Sequence, residues 1–188
     1  MNRIVIIIML TLALVSLSAC TEEATATPAT NQYSQQVARG KYLVTIGGCN
    51  DCHTPLKMGP KGPEPDFSRE LSGHPANVVM PKPPKNDGQW AWSGAMTNTA
   101  FAGPWGISYA RNLTPDQVSG LGIWDEQMFI KTIRTGRHMG ISRPLLPPMP
   151  WFNYAKATDE DLKAIYAYLR SVKPVRNEVP DAVIAGGM

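Results

Sequence analysis

Cys49-Asn50-Asp51-Cys52-His53 decides the reading of this chain. Two thiols three positions apart can add to the two vinyl groups of haem b, and the adjacent imidazole then sits where it can bind the iron. C-x-x-C-H is the pattern of c-type haem attachment, so the motif points to covalent haem and to electron transfer. Other uses of the same residues find less support around them. A zinc site wants a second pair of Cys or His ligands, and the one remaining cysteine is Cys20. A thioredoxin-like dithiol wants a βαβ setting, which the flanking residues do not offer.

Upstream, the N-terminus names a compartment. Arg3 gives a short positive region and Ile4 to Leu17 is continuously apolar. That run is shorter than the ~20 residues a spanning helix needs and reads as a secretory signal. Leu17-Ser18-Ala19-Cys20 places small residues just ahead of a cysteine, a stretch that resembles the lipobox of bacterial lipoproteins. The expectation is a signal over residues 1–19, lipid on Cys20, a flexible tether over 20–32 and one domain over 33–188. Two or three acyl chains hold a protein on a membrane where one binds only marginally, so the domain is expected to be exported, anchored and facing the periplasm. The alternative is a soluble periplasmic protein cut at another site.

With Cys20 lipidated and Cys49 and Cys52 on haem, none of the 3 cysteines remains for a disulfide, and the haem itself becomes the staple. C-x-x-C-H does not recur, so one haem is expected. The formal charge is only +3, and it falls further once Arg3 leaves. So weak a balance argues against nucleic acid, which wants a strongly basic face. Lys57, Lys61, Lys82 and Lys85 lie in one stretch, either steering an acidic redox partner or forming a solvated loop surface.

Thr21 to Asn31 is rich in Thr, Ala, Pro and Glu and reads as a tether. A helix is predicted from about Ser34 to Gly47, with Val37, Tyr42, Leu43 and Ile46 as its apolar face and Gly40 allowing another helix close. Pro55 to Asp87 holds many Pro and Gly residues and reads as a long loop. Trp90, Trp92 and Trp105 either wall the haem pocket or pack in the core. Thr114-Pro115-Asp116-Gln117 has the form of a helix start. A further helix is expected from Asp125, with Phe129, Ile130 and Ile133 apolar and Gly136 as its stop. In the last helix Thr158 caps, acidic residues 159–161 fill the first turn, and Leu162, Ile165, Tyr166 and Leu169 form a stripe. Strand signals are weak throughout, so the fold is expected to be mainly α.

His53 supplies one axial position at the iron. Candidates for the other are His74, His138 and several methionines, Met80 and Met139 among them. Met149 stands out because Pro147, Pro148 and Pro150 frame it. Prolines fix φ and remove donors, which suits a rigid strap across the distal face.

Arg39-Gly40-Lys41-Tyr42-Leu43, Pro104-Trp105-Gly106, Asn112-Leu113-Thr114-Pro115-Asp116, Gly120-Leu121-Gly122-Ile123-Trp124, Pro148-Met149-Pro150-Trp151, Thr158-Asp159-Glu160-Asp161 and Ala167-Tyr168-Leu169 occur in this order. In them the chain resembles class I-type bacterial monohaem cytochromes c. Within that group it resembles the cytochrome c domains of membrane-bound alcohol and aldehyde dehydrogenase cytochrome subunits. The resemblance covers about Val37 to Val172. It implies a cytochrome c fold, helices wrapped around one covalent haem with the first and last crossing, and His53/Met149 ligation. Two departures stand out: those subunits usually carry three haem domains, and the Pro/Gly-rich loop from Pro55 to Ala102 is longer than expected.

The function expected is that of an electron carrier, not a catalyst, passing electrons from a periplasmic or membrane dehydrogenase to an oxidase or cytochrome acceptor. His/Met ligation raises the potential of such a centre. A different class follows if Met149 is not bound: an open iron site makes a haem peroxidase or a small-gas sensor, with His138 and Arg137 or Arg143 recruited for acid–base work.

Overall fold

The computed structural model describes residues 29–83, 85 and 88–185. The expected signal, Cys20 and most of the tether lie outside the described residues. Among the described residues no helix is long and apolar enough to cross a membrane.

Two helices make the frame. α1 (Ala29–Ile46) and α5 (Asp159–Ser171) pack directly on each other. Gly40 allows it: a Cβ there would lie 1.9 Å from the Ala164 carbonyl oxygen and 2.8 Å from Tyr168 Cβ. Val44, Leu162 and Leu169 are buried in the core beneath this contact. Each such side chain contributes roughly 1.5–3 kcal/mol by leaving water. The predicted face of α1 is corrected here. Tyr42 and Ile46 are 54% and 62% exposed, while Val44 is fully buried. The true stripe is Val37, Gly40 and Val44, at i, i+3 and i+7, and a glycine adds nothing to a hydrophobic tally. Tyr42 instead lies outside, its ring 5.6 Å from the Arg39 guanidinium, which itself pairs with Asp161 at 3.0 Å.

α5 starts as predicted, with Thr158 Oγ1 accepting from Asp161 N. α2 (Cys49–His53) follows α1 after Gly47 and Gly48. α3 (Glu126–Thr135) also matches its sequence signals. Asp125 Oδ1 accepts from Met128 N at 2.7 Å, Phe129 and Ile133 are buried, and Gly136 at φ 63° closes the helix. Tyr166 donates to the Trp124 carbonyl, and Arg170 to the carbonyls of Leu121 and Gly122.

The helix predicted from Thr114 does not form; 117–119 is a turn. The Thr114 hydroxyl is turned inward to Asn112 Oδ1 at 2.8 Å and is not available as a cap. Asp116 caps the turn instead, accepting from Val118 N and Ser119 N. Gly120 then brings the chain back onto itself, where a Cβ would meet the Thr114 carbonyl oxygen at 2.2 Å.

The segment expected as one long loop contains a hairpin, β1 (Leu56–Gly59) with β2 (Gly62–Pro65), and a 3₁₀ turn at Phe67–Arg69. A second antiparallel sheet has the order β3 (Ser93–Gly94), β4 (Ala100–Gly103), β5 (Gly106–Tyr109), β6 (Val183–Ile184). Strands of two to four residues carry too little alternation to be read by period. The fold is therefore mainly helical, with two small sheets added. α4 (Trp151–Tyr154) completes it.

Candidate functional site

Gly48 takes the left-handed conformation at φ 67° and lets α2 begin immediately after α1. One turn of helix then sets Cys49 and Cys52 at i and i+3 on one face. The turn is gripped from all sides. Tyr154 donates its hydroxyl to the Gly47 carbonyl. Asn98 Nδ2 donates to the Asp51 carbonyl at 2.7 Å, and Gly73 N to that of His53 at 2.8 Å. Thr54, fully buried, donates to Asn50 Oδ1 and accepts from Leu71 N.

His53 Nδ1 lies 2.7 Å from the Arg111 carbonyl oxygen. A carbonyl only accepts, so Nδ1 carries the proton and Nε2 is the bare nitrogen. No hydrogen bond among the described residues uses Nε2. Burial pushes the imidazole pKa below its ordinary value, with the carbonyl contact opposing, so the ring is neutral at pH 7. A neutral imidazole whose other nitrogen donates to a carbonyl is the state in which histidine ligates metals.

Cys49, Cys52, His53 and Met149 all line one cavity of about 240 Å³, several times the ~30 Å³ share of one water. Its walls are mainly apolar, with Leu113, Leu121, Trp124, Phe129, Ile133 and Leu162 among them. Burial pushes the Cys49 thiol up to about 11, as expected of a dry wall. On the same cavity, the Pro147–Pro150 segment is held by Ser108, whose Oγ donates to the Pro147 carbonyl at 2.6 Å. Leu145 N donates to the Gly136 carbonyl and ties this strap to the end of α3.

The open choice of a second axial ligand narrows. His74 is fully buried elsewhere, its Nδ1 at 2.9 Å from Thr99 Oγ1 and its Nε2 at 2.9 Å from the Val78 carbonyl. Met80 lines a separate small pocket against β3 and β4. Met139 does not reach the cavity; His138 does, edge-on to Trp124. Neither expected role holds for Trp90 and Trp92, which are exposed, Trp92 standing edge-on to Phe101. Trp105 is half-buried but donates to Ser108 instead of walling the cavity.

Reasoning from sequence missed Arg111, Tyr154 and Ser108, whereas Arg143, named for the alternative open-iron reading, does line the cavity. Two guanidinium groups, Arg111 and Arg143, line the same apolar cavity, and Arg143 makes no ion pair among the described residues. Burial first, then repulsion from Arg143, lowers the Arg111 pKa. A large flat apolar guest bearing carboxylates suits this lining. Haem has that chemistry, and the thiol pair, bare imidazole nitrogen and thioether complete a donor set that fits it. Nothing in the local pattern around Arg111 marks it; only its place against the cavity does.

The cytochrome c family model matches residues 37–173, and the chain belongs to that family, whose cofactor is covalent haem c. Its relatives include cytochrome subunits of dehydrogenases. It is 31% identical over 150 residues to the fructose dehydrogenase cytochrome subunit of Gluconobacter japonicus, covering 79% of this chain and 24% of that one. It is 31% identical over 149 residues to the gluconate 2-dehydrogenase cytochrome c subunit of Pantoea cypripedii, covering 79% and 26%. With the cytochrome c subunit of the quinone alcohol dehydrogenase of Gluconobacter oxydans it shares 28% over 149 residues, 77% and 24%. The chain thus spans about a quarter of the length of these curated relatives.

Proposed function

We propose that this chain is a monohaem electron carrier, with Cys49 and Cys52 as the thioether residues and His53 and Met149 as axial ligands. Cys49 and Cys52 would hold the haem through thioether bonds to its vinyl groups, each thiol hydrogen passing to a vinyl carbon, so that attachment would need no oxidant. The haem supplies a one-electron Fe(III)/Fe(II) couple. The protein's own residues do the rest. Arg111 fixes the His53 tautomer through its carbonyl, Ser108 holds the Met149 strap, and the apolar walls exclude water. Met/His ligation and a dry site both raise the potential. The observation that carries this reading is the convergence of Cys49, Cys52, His53 and Met149 on one cavity.

The donor is proposed to be a dehydrogenase and the acceptor an oxidase or a second cytochrome; one electron enters and the same electron leaves. Lipid on Cys20 would confine the carrier to a bacterial membrane facing the periplasm, and a tether raises the effective concentration of partners there. A Cys20→Ser protein is expected to leave the membrane fraction.

The deciding experiment is the visible spectrum of wild type and Met149→Ala, oxidised and reduced. A c-type pyridine haemochrome in both, with a far-red sulfur-to-iron band in the oxidised wild type that disappears in the variant, supports the assignment. His138 on the same cavity favours the alternative, a peroxidase or gas sensor with an open iron site. A high-spin wild type that binds carbon monoxide at neutral pH would put that reading first.

A further inference from the structure

Residues 174–185 lie beyond the stretch that the family model matches, yet they are fastened along their length. Val175 donates its N–H to Thr114 Oγ1 at 3.1 Å, and its carbonyl accepts from Asn112 Nδ2 at 2.8 Å. Asn177 donates through Nδ2 to the carbonyls of Ser72 and His74 and accepts from Ala76 N. Val179 is buried. The end of the strap becomes β6, paired to β5 where Gly106 leaves room; a Cβ there would lie 1.9 Å from the Val183 carbonyl oxygen.

Between these anchors the strap meets the cavity. Ala182 lines it beside Arg111 and His53. Arg111 Nη1 donates to the carbonyls of Val179 and Pro180 at 3.2 and 2.9 Å, and Asp181 stands 3.7 Å away. The same residue's main-chain carbonyl takes the His53 Nδ1 proton at 2.7 Å. One arginine therefore joins the C-terminal strap to the candidate proximal ligand.

We propose that the strap is a positioning element for His53 that acts through Arg111 and holds the reduction potential of the centre up. This rests on the haem reading above. Carbonyl groups of the strap fix the guanidinium against the cavity, where its charge opposes the extra charge of oxidised iron. Ala182 lines the same cavity, and the bond to the Arg111 carbonyl acts in the same direction, since burial and outer hydrogen bonds tune a bound metal. Arg111 is a positioning residue, touching the ligand only through its backbone.

The test uses the full haem-loaded chain, a chain shortened after Glu178, which removes both carbonyls that hold Arg111, Arg111→Gln and Arg111→Lys. For each, the covalent haem is measured by pyridine haemochrome and the midpoint potential by optical titration. The solvent exchange of the His53 Nδ1 proton is followed by NMR in the reduced state. The shortened chain and Arg111→Gln are expected to keep their haem, show a lowered potential and exchange that proton faster. Arg111→Lys, which keeps the charge, is expected to recover part of the potential. If the shortened chain does not accumulate, Arg111→Gln with an intact strap carries the test. Haem-loaded variants with wild-type potential and exchange overturn the proposal. A full-length protein without covalent haem overturns the functional reading beneath it.

Discussion

Between α1 and α5 the molecule is held by apolar side chains and a close backbone approach at Gly40. Around the cavity the segments near residues 53–76, 108–122 and 174–185 are held differently, by single polar side chains bonded to the main chain of distant segments. Asn112, Asn177, Thr54, Ser108 and Arg111 each do this. The first kind of contact is repetitive and tolerates small shifts along a helix. The second depends on each partner being in place, because a buried polar group left unpaired costs ~1–3 kcal/mol. The frame gives the domain its stability, and the hydrogen-bonded segments hold the residues that line the cavity.

The sharpest way to break the frame is Gly40→Val. Its Cβ would sit inside the van der Waals radius of the Ala164 carbonyl carbon and oxygen, which cannot retreat as a side chain could. Overpacking commonly costs ~1–3 kcal/mol and more where backbone must move. A loss of about 4 kcal/mol or failure to accumulate holoprotein is expected, read as yield and thermal unfolding. A Gly40→Val protein that unfolds like wild type would mean the two helices do not meet here.

The matching test of the walls is Asn112→Ala. Asn112 is buried with all four of its hydrogen-bonding positions used: Oδ1 by Thr114 N and Oγ1, Nδ2 by the Val175 carbonyl and Ser119 Oγ. Alanine removes all four bonds, leaves Thr114 N without this partner and loosens the strap at its root, where Val175 N keeps its bond to Thr114 Oγ1. A loss of about 3 kcal/mol is expected, roughly 6–12 °C in the midpoint for a domain of this size. The comparison also demands a change in the iron spectrum, since the neighbouring residue is Arg111.

The same division explains what could be read in advance. C-x-x-C-H, the cap at Thr158, the stop at Gly136 and the proline frame of Met149 are local signals; the cap and the stop form as read, and Cys49, Cys52, His53 and Met149 line one cavity. Where two chemistries share one residue, the local signal misled. Thr114 has the form of a helix cap, but its hydroxyl donates to Asn112, two residues back, and accepts from the distant Val175 N. On α1 the close approach expected at Gly40 forms, but of the apolar face read as Val37, Tyr42, Leu43 and Ile46, Tyr42 and Ile46 are exposed and the buried residue is Val44. Tryptophans 90 and 92 drew attention by size and ended on the surface. Arg111 and Asn177 were invisible because each works at a sequence separation of 60 residues or more, and no period or spacing reports that.

The smallest effect is expected where the frame is local and exposed. Thr158 Oγ1 accepts from Asp161 N at 3.1 Å, and Thr158→Ala removes that one bond from the positive end of α5. Loss of such a cap costs ~1 kcal/mol, and the first turn keeps Asp159, Glu160 and Asp161 to offset the helix dipole. Asp159 and Asp161 also stay paired with Arg134 and Arg39. The midpoint should fall by about 2–4 °C, while the far-red band and the potential stay at wild-type values. If instead the potential moves with so small a change in stability, frame and walls are coupled, and placing the ligands is a property of the whole fold.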